Sequence, residues 1–336
     1  MKIYIFSIVT MLLLFSCGTD QEEIPNVSDI DGSFNLYRIE QDIMSADTNN
    51  LQEVFLQHPA FMEIYLNNIM GFTQNQEENI TGFITDSNIN LLYQATQIQY
   101  GDFSSLTKDF EEAFQFYKYY FPERDVPDLY TFISEYGIQR FVFSDEDGKD
   151  ALGIGLDLFL GGDYPYAQFI PNNPAFSQYL IRRFDKTHLV KRSIGALVED
   201  ILGENTGNNL LEKMIHNGKK LYILDRLLPT TPDSVIIEYT TDQMSWVEDN
   251  QVEMWAYLLK EDLFYESDIN KINKLVNPSP NSPGMPNEAP GRTANYLGWK
   301  IVDAFMKRQS NYFIQDLVNE KDAQKILNES KFKPRK

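Results

Sequence analysis

Cysteine is nearly missing from this chain: Cys17 is the single one in 336 residues. One thiol excludes an intrachain disulfide framework and any cluster of cysteine metal ligands. Histidine is almost as scarce, with only His58, His188 and His216. No two of them stand four residues apart, so no pair of imidazoles shares one helical face around zinc. Each reads more simply as a surface or hydrogen-bonded side chain. The nucleophile elbow Gly-x-Ser-x-Gly and the glycine-rich phosphate loop do not occur. Beyond the first fifteen positions no run of about eighteen apolar residues is found, so no transmembrane helix is expected there. Cations are also in deficit, with 29 Lys and Arg against 49 Asp and Glu and a formal charge of −20. Such a surface repels nucleic acid and anionic lipid, and on this balance a phosphate-binding role is not expected.

What is present begins at the N-terminus. Lys2 precedes an apolar stretch from Ile3 to Phe15, and Leu14-Phe15-Ser16-Cys17 ends it before the polar run Gly18, Thr19, Asp20, Gln21, Glu22 and Glu23. A basic residue, a short apolar region and a small residue describe a secretory signal peptide rather than a membrane span. A cysteine directly after the small residue resembles a bacterial lipobox. The expectation is cleavage after Ser16 and a diacylglycerol on Cys17, enough for stable membrane attachment at about 0.8 kcal/mol per buried methylene. Acylation also removes any catalytic cysteine–histidine pair. The expected organisation is a signal peptide over 1–16, a flexible acylated tether over 17–31, one globular domain over 32–330 and a basic tail over 331–336.

Helical spacing dominates the domain. Phe61, Ile64, Tyr65 and Ile69 line one face after Pro59. Leu106, Phe110, Ala113, Phe114, Tyr117 and Phe121 make a richer stripe, with Ser104 or Ser105 as N-cap and Pro122 as stop. Leu210, Leu211, Met214, Ile215, Gly218, Leu221 and Tyr222 repeat the spacing, as do Val252, Trp255, Ala256, Leu259 and Leu263, then Ala294, Leu297, Gly298, Ile301, Val302 and Phe305. All read as core faces. Residues 138–143, a turn at 145–149 and the apolar run 151–160 read as a hairpin, and 234–239 as a short edge strand or extended link. Between residues 277 and 292 five prolines rule out helix or sheet, which leaves an ordered crossing or a lid. The fold class expected is α+β, predominantly helical, with a small mixed sheet in a single domain. A glycosidase built on two facing carboxylates stays open, with Asp157 and Asp163 as the candidates; capping or turn hydrogen bonding is the simpler reading for both.

Several segments together resemble one family. They are Phe116-Tyr117-Lys118-Tyr119-Tyr120-Phe121-Pro122, the run from Gly153 to Pro165, Tyr179-Leu180-Ile181-Arg182-Arg183 and Gly218-Lys219-Lys220-Leu221-Tyr222. Leu227-Leu228-Pro229, Glu253-Met254-Trp255 and the run from Ala289 to Val302 complete the set. With the lipobox they are similar to the GldB family of gliding-motility lipoproteins of Bacteroidetes. That resemblance implies an anchor on a cell-envelope membrane, the outer membrane first, with the domain in the periplasm or at the cell surface. It implies partners among the gliding and type IX secretion proteins, and no nucleic acid. It brings no enzymatic activity, no cofactor and no catalytic or metal residue, which leaves Cys17 as the one assigned position. Gly218 and Gly298 are expected where helices approach closely. Arg292, between the proline loop and a helix, reads as a buried or loop-locking guanidinium, or equally as a surface one.

A fainter similarity is to zincin-like peptidases: a glycine-rich strand, two helices, a proline-bearing stretch and a Leu-Gly-Trp-Lys-Ile-Val helix. Those enzymes carry His-Glu-x-x-His on the first helix, whereas the corresponding stretch here, Ser193 to Asp200, holds no histidine. Zinc needs about three protein ligands. The implied layout is therefore degenerate, without its metal site; the alternative function is a divergent metallopeptidase or another envelope hydrolase.

Overall fold

Four short strands organise the chain: β1 (Leu36–Arg38), β2 (Asp128–Phe132), β3 (Arg140–Ser144) and β4 (Asp150–Gly155). The computed structural model describes residues 24–335, so Cys17 and the expected signal peptide lie outside the described residues. The sheet order is β1-β2-β4-β3, parallel except for β3, which pairs antiparallel with β4 as a hairpin closed through Asp145 to Lys149. The sheet is thus mixed, and its antiparallel strand forms one edge. Seventeen α-helices account for most of the remaining described chain, as the α+β, mainly helical reading expects.

Alternation along the strands separates two cores. Tyr130, Phe132, Phe143 and Ala151 face a cluster with Ile39, Phe61, Tyr65, Ile80 and Leu92, all supplied by the N-terminal helices. Leu129, Leu152 and Ile154 face the opposite way, into the larger cluster built from the helices that begin at Ser104. The molecule is therefore layered, helices on both faces of one small sheet, the arrangement parallel strands require. Among the described residues no helix is long and apolar enough to cross a membrane.

The larger layer turns on one helix pair. The Leu210–Leu227 helix starts with a capping box between Asn209 and Glu212 and packs most extensively on the Thr293–Met306 helix. A Cβ on Gly218 would collide with the Gly298 carbonyl and come within 2.8 Å of the Trp299 nitrogen. A Cβ on Gly298 would meet the Met214 carbonyl group, with its carbon at 2.7 Å. The two glycines let the backbones touch, the close approach expected for both.

Several boundaries differ from the sequence reading. The domain is longer at both ends. Val27, placed in the flexible tether, is buried in the main core; Phe332, placed in the basic tail, stacks edge-on against Trp255 with centroids 5.5 Å apart. Residues 234–239 are not a strand: Asp233–Ile237 is a short helix. Ser104 is the first helical residue of Ser104–Tyr120 rather than its cap, because Asp102 takes the Ser104 N–H at 2.9 Å. In Gln251–Lys260 the buried face is Gln251, Met254 and Leu258, while Leu259 is exposed. The buried face lies one position away from the expected stripe, and Trp255 packs sideways on Phe264 and Phe332.

Candidate functional site

Several segments converge on one polar cleft of about 380 Å³. The edge strand β3 contributes Arg140. The Lys186–Leu202 helix, packed under β3, presents Lys191, Gly195 and Glu199 from one face at four-residue intervals, with Arg192 beside them. Asn217, Lys220 and Leu221 come from the Leu210–Leu227 helix, Glu238 from the end of the Asp233–Ile237 helix, and Arg292 and Asn295 from the exit of the proline loop. Arg183, Ile237 and the start of the proline loop, Val276 to Pro278, complete the lining. Six cations and two carboxylates therefore share the cleft, the reverse of the chain's overall balance.

Glu238 is the hub. Its side chain is 7 % exposed and carries four positive neighbours: Arg183, Lys191, Arg192 and Arg292. Arg192 grips both oxygens, Nε to Oε1 at 2.9 Å and Nη2 to Oε2 at 3.2 Å, while Lys191 Nζ donates to Oε1 at 3.0 Å. Arg183 donates to Oε2, and both Arg182 and Arg292 donate to the Glu238 carbonyl at 3.2 Å. Burial alone would raise the Glu238 carboxyl; the surrounding cations reverse this and hold it well below the usual carboxylate range. Four cations on one carboxylate leave a surplus, and the lysine yields first because guanidinium groups keep their protons. Burial accordingly pushes Lys191 down to about 7 and Arg183 to about 10, against the pull of Glu238.

The backbone is strained at the same place. Glu238 and Arg292 both adopt left-handed conformations, with φ of 61° and 65°. Neither is a glycine, so each costs on the order of 1 kcal/mol and persists only where surrounding contacts fix it. Here the contacts fix each other: the Arg292 guanidinium binds the carbonyl and flanks the carboxylate of Glu238. A second, more open ion group lies alongside, with Arg140 and Lys220 on Glu199.

The three histidines do not converge. His58 packs on the rings of Tyr37 and Tyr130, and His188 holds Asp185 through Nδ1 at 2.8 Å. His216 lies in a separate cleft with Lys219 and Glu320, where burial and neighbouring lysines push it down to about 4. The helix matched to a His-Glu-x-x-His segment is longer than the sequence suggested and includes His188 in its first turn. Among the described residues no three His, Cys, Asp or Glu side chains are grouped to hold a metal ion. Asp157 and Asp163 do not form a facing pair on a cleft. Asp157 is fully buried and accepts from the backbone N–H groups of Ser134 and Tyr136, while Asp163 is exposed in a turn. Turn bonding accounts for the first.

Of these positions the sequence picked out only Arg292, by its place between a proline loop and a helix. Sequence reasoning missed Glu238, Lys191 and Arg192. The one local signal was the four-residue spacing of Lys191, Gly195 and Glu199, which a solvated helix face shares.

No curated protein and no solved structure matches the chain. A family model described as gliding motility protein GldB matches residues 20–334, which spans every segment that builds the cleft. That agreement over nearly the whole length bears out the family resemblance, and the chain belongs to the GldB family of gliding-motility lipoproteins.

Proposed function

We propose that this protein is a non-enzymatic component of an envelope gliding apparatus, tethered by a lipid on Cys17 and acting through contacts with other motility and secretion proteins. The observation that carries this reading is the family match over residues 20–334. Two features support the non-enzymatic part. The stretch matched to a zincin's metal-binding helix, Ser193 to Asp200, holds no histidine, and Lys191 and Arg192 just ahead of it line the cleft. Those charges oppose a divalent cation instead of binding it. The one deeply buried acidic side chain between them is fully engaged by its own cations.

The test is genetic and biochemical. Deletion is expected to abolish cell spreading, and Cys17→Ala to move the protein from the membrane fraction, outer membrane first, to the soluble one. A null strain that spreads normally would sink the motility role. Elemental analysis of the purified chain separates off the rival hydrolase: zinc at one atom per chain would overturn the non-enzymatic reading.

A further inference from the structure

We propose that the cleft between β3, the Lys186–Leu202 helix and the end of the proline loop is a receptor for a phosphate-type oxyanion. This does not depend on the motility role. It rests first on charge. Arg140, Arg183, Lys191, Arg192, Lys220 and Arg292 face only Glu199 and Glu238. In a chain of formal charge −20, a formal surplus of four positive charges in one concavity runs against the background, and the four arginines alone outnumber the two carboxylates. Clefts of one sign with low-dielectric walls concentrate the opposite ion.

The second support is donor capacity. Each guanidinium offers five N–H donors, more than the two carboxylates and nearby carbonyls consume. Arg292 Nη1 stands 3.6 Å from Glu238 Oε2, too long for a hydrogen bond, and Arg140 Nη1 reaches Gln139 Oε1 only at 3.5 Å. The Nε atoms of both arginines are buried with no hydrogen-bond partner. Buried donors are normally satisfied; these two Nε groups are closed off from solvent, so the donors left for an entering anion are the Nη1 groups.

Geometry favours phosphate over carboxylate. Arg192 already shows on Glu238 the two-point grip that guanidinium groups use on carboxylates and phosphates. The donors left over are the Nη1 groups of Arg140 and Arg292 and the N–H groups of Lys220 beyond its bond to Glu199, on three different segments. A tetrahedral dianion can offer a separate oxygen to each; a planar carboxylate has two oxygens and one charge. The bonds of Lys191, Arg192 and Arg292 to Glu238 hold the cluster in place before any ligand arrives. Asn217 and Asn295, joined by a 2.9 Å hydrogen bond, form a neutral polar wall beside it.

The experiment titrates the full chain, in a non-ionic detergent, with inorganic phosphate against chloride at equal ionic strength, read by calorimetry. Saturable binding to one site is expected, with acetate at least about tenfold weaker. The double variant Arg140→Gln/Lys220→Gln is expected to weaken phosphate by about tenfold or more, the worth of one charge-assisted hydrogen bond. Lys260→Gln, on an 82 % exposed side chain outside the cleft, is expected to change nothing. Glu238→Gln supplies an independent readout: with the internal anion gone, phosphate is expected to raise its melting temperature more than it raises that of the native chain. No saturation beyond the chloride control, equal binding of acetate, or an unaffected double variant would overturn the proposal. Glycerol phosphate in solution and phosphatidylcholine vesicles with or without phosphatidic acid then identify the source. Competition by the former assigns a soluble phosphomonoester. Binding that needs phosphatidic acid and is lost in the double variant assigns a lipid headgroup. Failure of both, with inorganic phosphate still saturating the site, assigns the free oxyanion.

Discussion

Asp157 is a buried acid kept for its acceptor oxygen. Its Oδ2 takes the N–H groups of Ser134 at 3.1 Å and Tyr136 at 2.6 Å, and its Oδ1 has no partner. It thereby ties down a turn in which Glu135 and Tyr136 are both left-handed, with φ of 53° and 64°. Burial pushes the carboxyl up to about 6, against the lowering effect of those backbone bonds. A raised acid pKa means the folded state holds the proton more tightly than the unfolded chain. Stability from this group is therefore complete below about pH 4 and declines as pH rises to about 6, by about 3 kcal/mol in all. Glu238 works in the opposite sense: its depressed carboxyl stabilises above the unfolded value, and that stability is lost in acid. Asp157→Asn keeps an acceptor for both N–H groups and cannot ionise. It is expected to match the native chain in urea unfolding near pH 4 and to exceed it by about 2–3 kcal/mol at pH 8. An equal loss of stability at both pH values would show that shape, not charge, governs the site.

At the level of elements, the crossing of Leu210–Leu227 with Thr293–Met306 is where substitution costs most. Gly298→Ala would drive a methyl into the Met214 carbonyl, which belongs to a helix backbone and cannot rotate away. A loss of about 3 kcal/mol or more is expected, at the upper end for overpacking. Gly82, in the Gln76–Thr85 helix, has open space around its missing Cβ. Gly82→Ala is expected to stabilise by about 0.5–1 kcal/mol through helix propensity alone. Thermal unfolding of the two variants tests the pair, and a neutral Gly298→Ala would refute the close-packed crossing. These helices were legible because their apolar residues recur every three to four positions over several turns. The β3–β4 hairpin was legible from its turn. The central strand β2 was not: Asp128-Leu129-Tyr130-Thr131-Phe132 is buried on both faces, so alternation, the main strand signal, is erased. The cleft is harder still. Its charges come from positions 140, 183, 191, 192, 199, 220, 238 and 292, and each lies in a local context that a solvated surface also provides. Only the fold brings them within bonding distance.

For the molecule as a whole, the acidic surplus and the cationic cleft respond to salt on different length scales. Most of the 49 carboxylates are exposed and repel one another through solvent, a penalty that falls once the Debye length shrinks to about 8 Å near 0.15 M salt. The Glu238 cluster is shielded already. Its carboxylate is 7 % exposed and its nearest cations are in direct contact, so mobile ions barely weaken it. The two effects do not cancel, because screening reaches the repulsive surface and not the attractive core. Raising sodium chloride from about 0.01 to 0.15 M is therefore expected to raise the melting temperature by about 2 °C or more. Chloride is the proper anion for this test, since phosphate or sulfate would also enter the cleft. A melting temperature that falls with chloride would mean that exposed ion pairs such as Lys307–Asp303, rather than the buried cluster and the apolar layers, carry the electrostatic stability of the fold.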